Sequence, residues 1–153
     1  METPKTIKEQ MEYVKLGRSG LKVSRVAFGN WITGNDGDDT DYQKVANEMV
    51  KYAFDNGVNI FDTAEGYGQG KGERQMGLAL KNLNTSRHNY VLTTKIFFGT
   101  FADENNTIVN SNSTCRKHLI EGLNRSLKNL EHDYVDVVFC HRYDEETPTL
   151  EVC

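Results

Sequence analysis

Apolar residues along this chain follow two periods in turn, and their succession predicts an architecture. In "YVKLGRSGLKVS" two short alternating runs flank Gly17 to Gly20, the pattern of a β-hairpin. A short run, "RVAFG", follows. In "TDYQKVANEMVKYAFDNG", Tyr42, Val45, Ala46, Met49, Val50, Ala53 and Phe54 then fall on one helical stripe. Thr40 with Gln43 carries a capping-box signature, and Asn56 with Gly57 supplies the stop. The run "VNIFD" predicts a strand, and a helix from about 73 to 82 follows it with Met76, Ala79, Leu80 and Leu83 on its buried face. A third unit joins "YVLTTK" to a helix near 113–130, striped by Leu119, Leu123, Leu127 and Leu130, and "YVDVVFCH" gives a fourth strand. Thr147 as N-cap and Pro148 at the first helical position then open a helix of about six residues, too short to hold itself together. It reads as a fourth helix started and cut off.

The strands are short, apolar and without clean alternation, and helices separate them, which predicts an α/β fold with a parallel sheet covered by helices. The polar residues 1–12 read as a disordered tail, and 13–153 as one domain. The polar connection "GTFADENNTIVNSNS" is of a length that is usually functional or mobile.

Composition narrows the setting. The 153 residues carry eighteen basic against twenty-two acidic side chains, a net charge of −4, so there is no basic field of the kind that nucleic acid demands. The start, "METPKTIKEQ", lacks the apolar core of a signal peptide, and no apolar stretch approaches the roughly 20 residues that span a bilayer. The expected location is therefore the cytoplasm, where Cys115, Cys140 and Cys153 would stay reduced. The Asn-x-Ser/Thr matches at Asn84, Asn105, Asn112 and Asn124 would matter only in a secreted protein.

In parallel α/β folds reactive groups gather at the carboxyl ends of the strands. The second strand ends in Asp62, the third in Lys95 and the fourth in His141, with Tyr67 in the loop just after Asp62. Each alone has a plain explanation: Asp62 capping a turn, Lys95 a solvated strand end, His141 a satisfied core histidine. Together they make chemical sense. An ammonium beside a phenol favours the phenolate and makes the hydroxyl a readier proton donor, a carboxylate keeps the ammonium charged and aimed, and an imidazole can orient a carbonyl oxygen. Such a set suits hydride addition to a carbonyl carbon, with a nicotinamide as the hydride source.

The glycines at 66, 68, 70 and 72 alternate, and no window fits either G-x-G-x-x-G or G-x-x-x-x-G-K-[ST]. They read as pliable backbone that lets Tyr67 swing over the strand ends, against the alternative of a plain flexible turn. No metal site is expected: Cys140 and His141 are adjacent, and His88, His118 and His132 show no ligand spacing.

The strings "LGRSGLKVSRVAFGNW", "NGVNIFDTAEGYGQGKGERQMGLAL", "LTTKIFFG" and "RKHLIEGLNRSLKNLEHDYVDVVFCHRYD", with the closing "TP", together resemble the aldo-keto reductase family from about Tyr13 onward. Within it they look most like the branch of voltage-gated potassium channel β-subunits. The resemblance implies a (β/α)8 TIM barrel that binds NADP(H) and reduces aldehydes or ketones. Here that means a partial barrel, an N-terminal β-hairpin plus about four parallel strand–helix units, with 13–153 as a truncated reductase domain. The family's tetrad falls on Asp62, Tyr67, Lys95 and His141, with Tyr67 the proton donor. Asn30 and Trp31 match the place where the family's loop touches the nicotinamide side, which Asp62 and His141 also border. His141, where channel β-subunits commonly carry asparagine, leans toward turnover. A whole barrel takes about 250 residues and grips phosphate after strands seven and eight. By the resemblance, then, the cofactor's main anchor falls outside this sequence. Carbonyl reduction is the preferred expectation. The others are a regulatory partner of a channel's cytoplasmic domain, and an inactive half-barrel that self-associates through open sheet edges.

Overall fold

The computed structural model describes residues 5–31, 40–99 and 109–153. Within the residues the sequence reads as a tail, a helical turn, α1 (Ile7–Gln10), stands ahead of the hairpin. It forms because Thr6 and Glu9 make a reciprocal capping box, Thr6 N–H to Glu9 Oε2 at 2.8 Å and Glu9 N–H to Thr6 Oγ1 at 3.3 Å. Residues 1–4 lie outside the described ones.

The hairpin is present: β1 (Tyr13–Lys15) pairs antiparallel with β2 (Lys22–Ser24), Tyr13 opposite Ser24. It is tied to the main fold through Asn59, whose Oδ1 accepts the Ser24 N–H at 2.7 Å. Four further strands, β3 (Phe28–Gly29), β4 (Ile60–Asp62), β5 (Val91–Ile96) and β6 (Val137–Cys140), form one parallel sheet in sequential order. Parallel neighbours cannot be joined by a tight turn, so each crossover carries a helix. These are α2 (Thr40–Asp55), α3 (Lys71–Asn82) and α4 (Arg116–Leu130), with α5 (Thr149–Val152) after β6. Gly57, at φ +94°, follows α2 as the predicted stop.

Period two along the strands sorts side chains between two faces. Phe61 and Leu92 turn to the helices and pack with Val50, Ala53, Met76, Ala79, Leu80 and Leu130 in the core. Asp62, Thr93 and Lys95 share the opposite face, and pairing sets Asp62 beside Thr93 and Lys95 beside Phe139. The register thus delivers the polar ends of adjacent strands to one rim.

Three predicted helix details differ. On α4 the buried residues are His118, Gly122, Ser126 and Leu130, one step round from the leucine stripe, and Leu119, Leu123 and Leu127 are half-buried. Closeness accounts for the glycine: a Cβ on Gly122 would lie 2.9 Å from Glu65 Oε2 and 3.0 Å from Ile96 Cγ2, so no larger residue fits at that point of the face. On α2, Val50 and Ala53 are buried, whereas Tyr42, Val45 and Met49 are exposed. Gln43 donates its amide to Asn47 Oδ1 and to the Gln75 carbonyl of α3, and the Thr40 side chain lies outside the described ones. At α5 the N-cap is Pro148, because the Thr147 hydroxyl donates to Asp144 Oδ2 at 2.6 Å. The polar connection after β5 falls largely outside the described residues, and all three cysteines are free.

A fully buried carboxyl, Glu73, stitches three elements together. It accepts from Thr94 Oγ1 on β5 at 2.7 Å and from Asn129 Nδ2 on α4 at 2.9 Å. Burial raises its pKa, and hydrogen bonds oppose that shift without cancelling it.

Candidate active site

Lys95 stands at the centre of the rim, near the end of β5. Its Nζ donates to Asp62 Oδ2 at 2.5 Å, to the Thr63 carbonyl at 2.8 Å and to Tyr67 Oη at 3.1 Å. An ammonium has three protons, and here each has an acceptor. Asp62 is fixed in turn by the Thr93 hydroxyl, which donates to its Oδ1 at 2.6 Å. The side chains of Lys95 and Asp62 are only 16% and 28% exposed, so their attraction is less screened than at an open surface.

Tyr67 is placed by an unusual turn. Gly68 and Gln69 have φ of 54° and 55°, and Gly70 follows at 88°, so the chain runs left-handed for three residues before α3 starts. Only the middle one carries a side chain that this conformation strains. Gly72 serves differently: a Cβ there would meet Tyr67 Cβ at 2.9 Å and its carbonyl oxygen at 3.1 Å. Asn30, 5% exposed, holds the same spot by donating to the Gly72 carbonyl at 2.7 Å. In this structure the glycines therefore seat Tyr67 against the start of α3, whereas the sequence suggested a swinging loop.

His141 follows β6 directly, its N–H bonded to the Ile96 carbonyl at 3.0 Å. Its ring lies edge-to-face on Tyr67 and on Phe98, with centroids 6.0 and 5.2 Å away. Burial lowers its pKa, the positive charges of Lys95 and Arg142 push the same way, and Asp62 and Glu65 oppose them, a balance that favours the neutral imidazole. Its Nδ1 is buried with no hydrogen-bond partner among the described residues.

A cavity of about 430 Å³ opens over this rim, lined by Trp31, Gly66, Tyr67, Phe98, His141 and Arg142. The structure thus brings Asp62, Tyr67, Lys95 and His141 together and puts Trp31 on the cavity wall. Asn30 is one step behind, engaged with Gly72. Sequence reasoning missed Thr93, Phe98 and Arg142. Thr93 was findable, since it lies two residues before Lys95 and so shares its face; Phe98 and Arg142 needed the loops' paths. Among the described residues no group of three His, Cys, Asp or Glu side chains could hold a metal ion.

The family model for aldo/keto reductases matches residues 25–153, which span every element of this site. The chain belongs to the aldo/keto reductase family. Among its curated relatives, a putative voltage-gated potassium channel subunit β of Schizosaccharomyces pombe is 49% identical over 138 residues, 90% of this chain and 38% of that protein. Probable channel β-subunits of Oryza sativa and Arabidopsis thaliana are each 44% identical over 142 residues, covering 92% of this chain and 40% of theirs. The chain thus spans about two fifths of the length of these relatives. Among solved structures, the holo form of an aldo-keto reductase from Bacillus halodurans superposes with a TM-score of 0.77 at 27% identity, over 93% of this chain and 44% of that one. The fold is accordingly that of a partial (β/α)8 barrel, represented here by four consecutive parallel strands. No helix among the described residues is long and apolar enough to cross a membrane.

Proposed function

We propose that this rim reduces aldehydes or ketones with NADP(H), Tyr67 giving the proton to the carbonyl oxygen. The observation that carries the reading is the hydrogen bond from Lys95 Nζ to Tyr67 Oη at 3.1 Å. As the phenolic proton leaves, the oxygen left behind already faces an ammonium. Asp62, braced by Thr93, keeps that ammonium aimed. Neutral His141, beside the Tyr67 ring, can donate one N–H to the substrate oxygen and hold it toward the phenol.

The residues present suit the nicotinamide end of the cofactor. Trp31, 65% exposed, lines the same cavity as His141, whose Nδ1 has no protein partner among the described residues. Trp31 and His141 would hold the ring, and the bound cofactor would supply the hydride. Trp31, Phe98 and Tyr67 shield the reacting carbonyl from part of the surrounding water.

NADPH oxidation with a reactive aldehyde tests this. Tyr67→Phe keeps the ring and removes the proton, and turnover is expected to fall about 10²- to 10⁴-fold. Equal rates in the two proteins would remove Tyr67 from the mechanism, and no oxidation by the unaltered chain would sink the reading for this chain.

A second reading rests on the relatives' names. At 49% identity to one protein called a channel β-subunit, the chain is a candidate to associate with the cytoplasmic domain of a potassium channel. Co-purification of the two is the expected result, and absence of a complex at micromolar concentrations would count against it.

A further inference from the structure

Glu65 lies in the loop after β4, directly before Gly66 and Tyr67 of the cavity wall, yet it is absent from that wall. It is 2% exposed, and its Oε1 accepts the Phe97 N–H at 2.5 Å and the Gly99 N–H at 3.0 Å. His118 Nε2, on α4, stands 3.1 Å from the same oxygen and completes the set with its proton on that nitrogen. The other oxygen occupies the space a side chain at Gly122 would need, 2.9 Å from its absent Cβ. The backbone is anchored as well, since the Glu65 N–H donates to the Lys95 carbonyl at 3.2 Å.

Burying a carboxylate is costly unless charge-assisted hydrogen bonds replace its water. Here three donors converge on one oxygen, and two of them are consecutive-but-one amides of a single loop. Between those amides sits Phe98. Its Cβ stands 3.3 Å from the point a Cβ on Gly66 would occupy, and its ring meets His141 edge-to-face at 5.2 Å. Gly99, at φ +66°, takes the left-handed conformation as the chain leaves this turn. The carboxylate is thus the fixed point from which one wall of the cavity is hung.

We propose that Glu65 is a positioning residue: by clamping the amides of Phe97 and Gly99 it sets the Phe98 ring, and through that ring it sets the orientation of His141. The consequence for substrate placement rests on the carbonyl-reduction reading; the positioning itself does not. A glutamine at 65 keeps the shape and one acceptor but loses the charge, and its amide would face the tight Gly122 contact.

The test is NMR on the full 153-residue chain, comparing the unaltered protein with Glu65→Gln and Phe98→Leu. In Glu65→Gln the His141 ring signals are expected to move toward their positions in Phe98→Leu, and the Phe97 and Gly99 amides to exchange about tenfold faster or more, as replacing a charged acceptor by a neutral one implies. Faster exchange with His141 signals unmoved would overturn the proposal, since Glu65 would then hold the loop without setting the site. Should Glu65→Gln fail to fold, His118→Leu removes one donor and leaves the carboxylate. A smaller displacement of the His141 signals in the same direction is then expected, and unmoved signals alongside faster exchange would again overturn it. Neither readout uses turnover, so a chain without reductase activity would defeat the functional reading and leave this result standing.

Discussion

Lys95→Met is expected to lower carbonyl turnover by about 10²- to 10⁴-fold, at least as much as loss of the phenolic proton itself. Methionine matches the volume of the lysine stem and carries no charge, so the change isolates the ammonium. Three hydrogen bonds vanish together, to Asp62, to the Thr63 carbonyl and to Tyr67. Tyr67 then lacks the donor that stabilises its oxygen once the proton has gone. Stability suffers too, because Asp62 keeps its charge with only the Thr93 hydroxyl to face it. Removing one partner of a fully buried pair costs about 3–5 kcal/mol. This pair is partly exposed, so about half of that is the better expectation. The double variant Asp62→Asn with Lys95→Met separates the effects. Thermal unfolding should recover toward the unaltered value, while NADPH-coupled turnover stays low. Recovered turnover would show that the ammonium serves the fold alone.

The second large effect concerns the fold. A Cβ on Gly77 would sit 2.0 Å from the Leu130 carbonyl oxygen and 2.7 Å from its Cα, so the obstacle is backbone and not a side-chain tip that could turn aside. Leu130 is fully buried and closes α4, and Glu131, at φ 53°, caps it in the left-handed region. Gly77→Ala must therefore push α3 and α4 apart, at about 3 kcal/mol or more, the upper part of the overpacking range. The gain in helix propensity, about 1 kcal/mol, is too small to compensate. At about 2–4 °C per kcal/mol for a chain of this size, Tm measured by circular dichroism should fall by roughly 10 °C. An unchanged Tm would mean that the two helices cross less tightly than described.

The strand–helix order was legible because period two and period 3.6 leave different marks, and the rim residues because parallel strands offer their carboxyl ends to one side. Asp62, Lys95 and His141 each close an apolar run, so their convergence followed from topology. What escaped was everything that depends on which helix face meets which neighbour. On α4 the leucines were the stronger signal, yet His118 is buried with a bond to Glu65, and Gly122 is buried where α4 comes too near Glu65 and Ile96 for a larger group. Hydrophobicity marks what can be buried; closeness of approach decides what is. Asn30 was read as a contact on the nicotinamide side, and its bond to the Gly72 carbonyl escaped for a related reason: it joins positions 42 residues apart, and no local pattern announces such a pair. Glu65 gave no signal either, being one acidic residue in a polar loop until the fold converges three donors upon it.

The Lys95 socket also decides what this amine cannot do. An amine that attacks a carbonyl to form an imine must first surrender a proton and expose a lone pair. Here all three protons are engaged, one with a carboxylate at 2.5 Å. The lysine is thereby withdrawn from imine chemistry, and in the proposed reaction an aldehyde would meet a fixed positive charge behind a phenol instead of an amine free to bond to it.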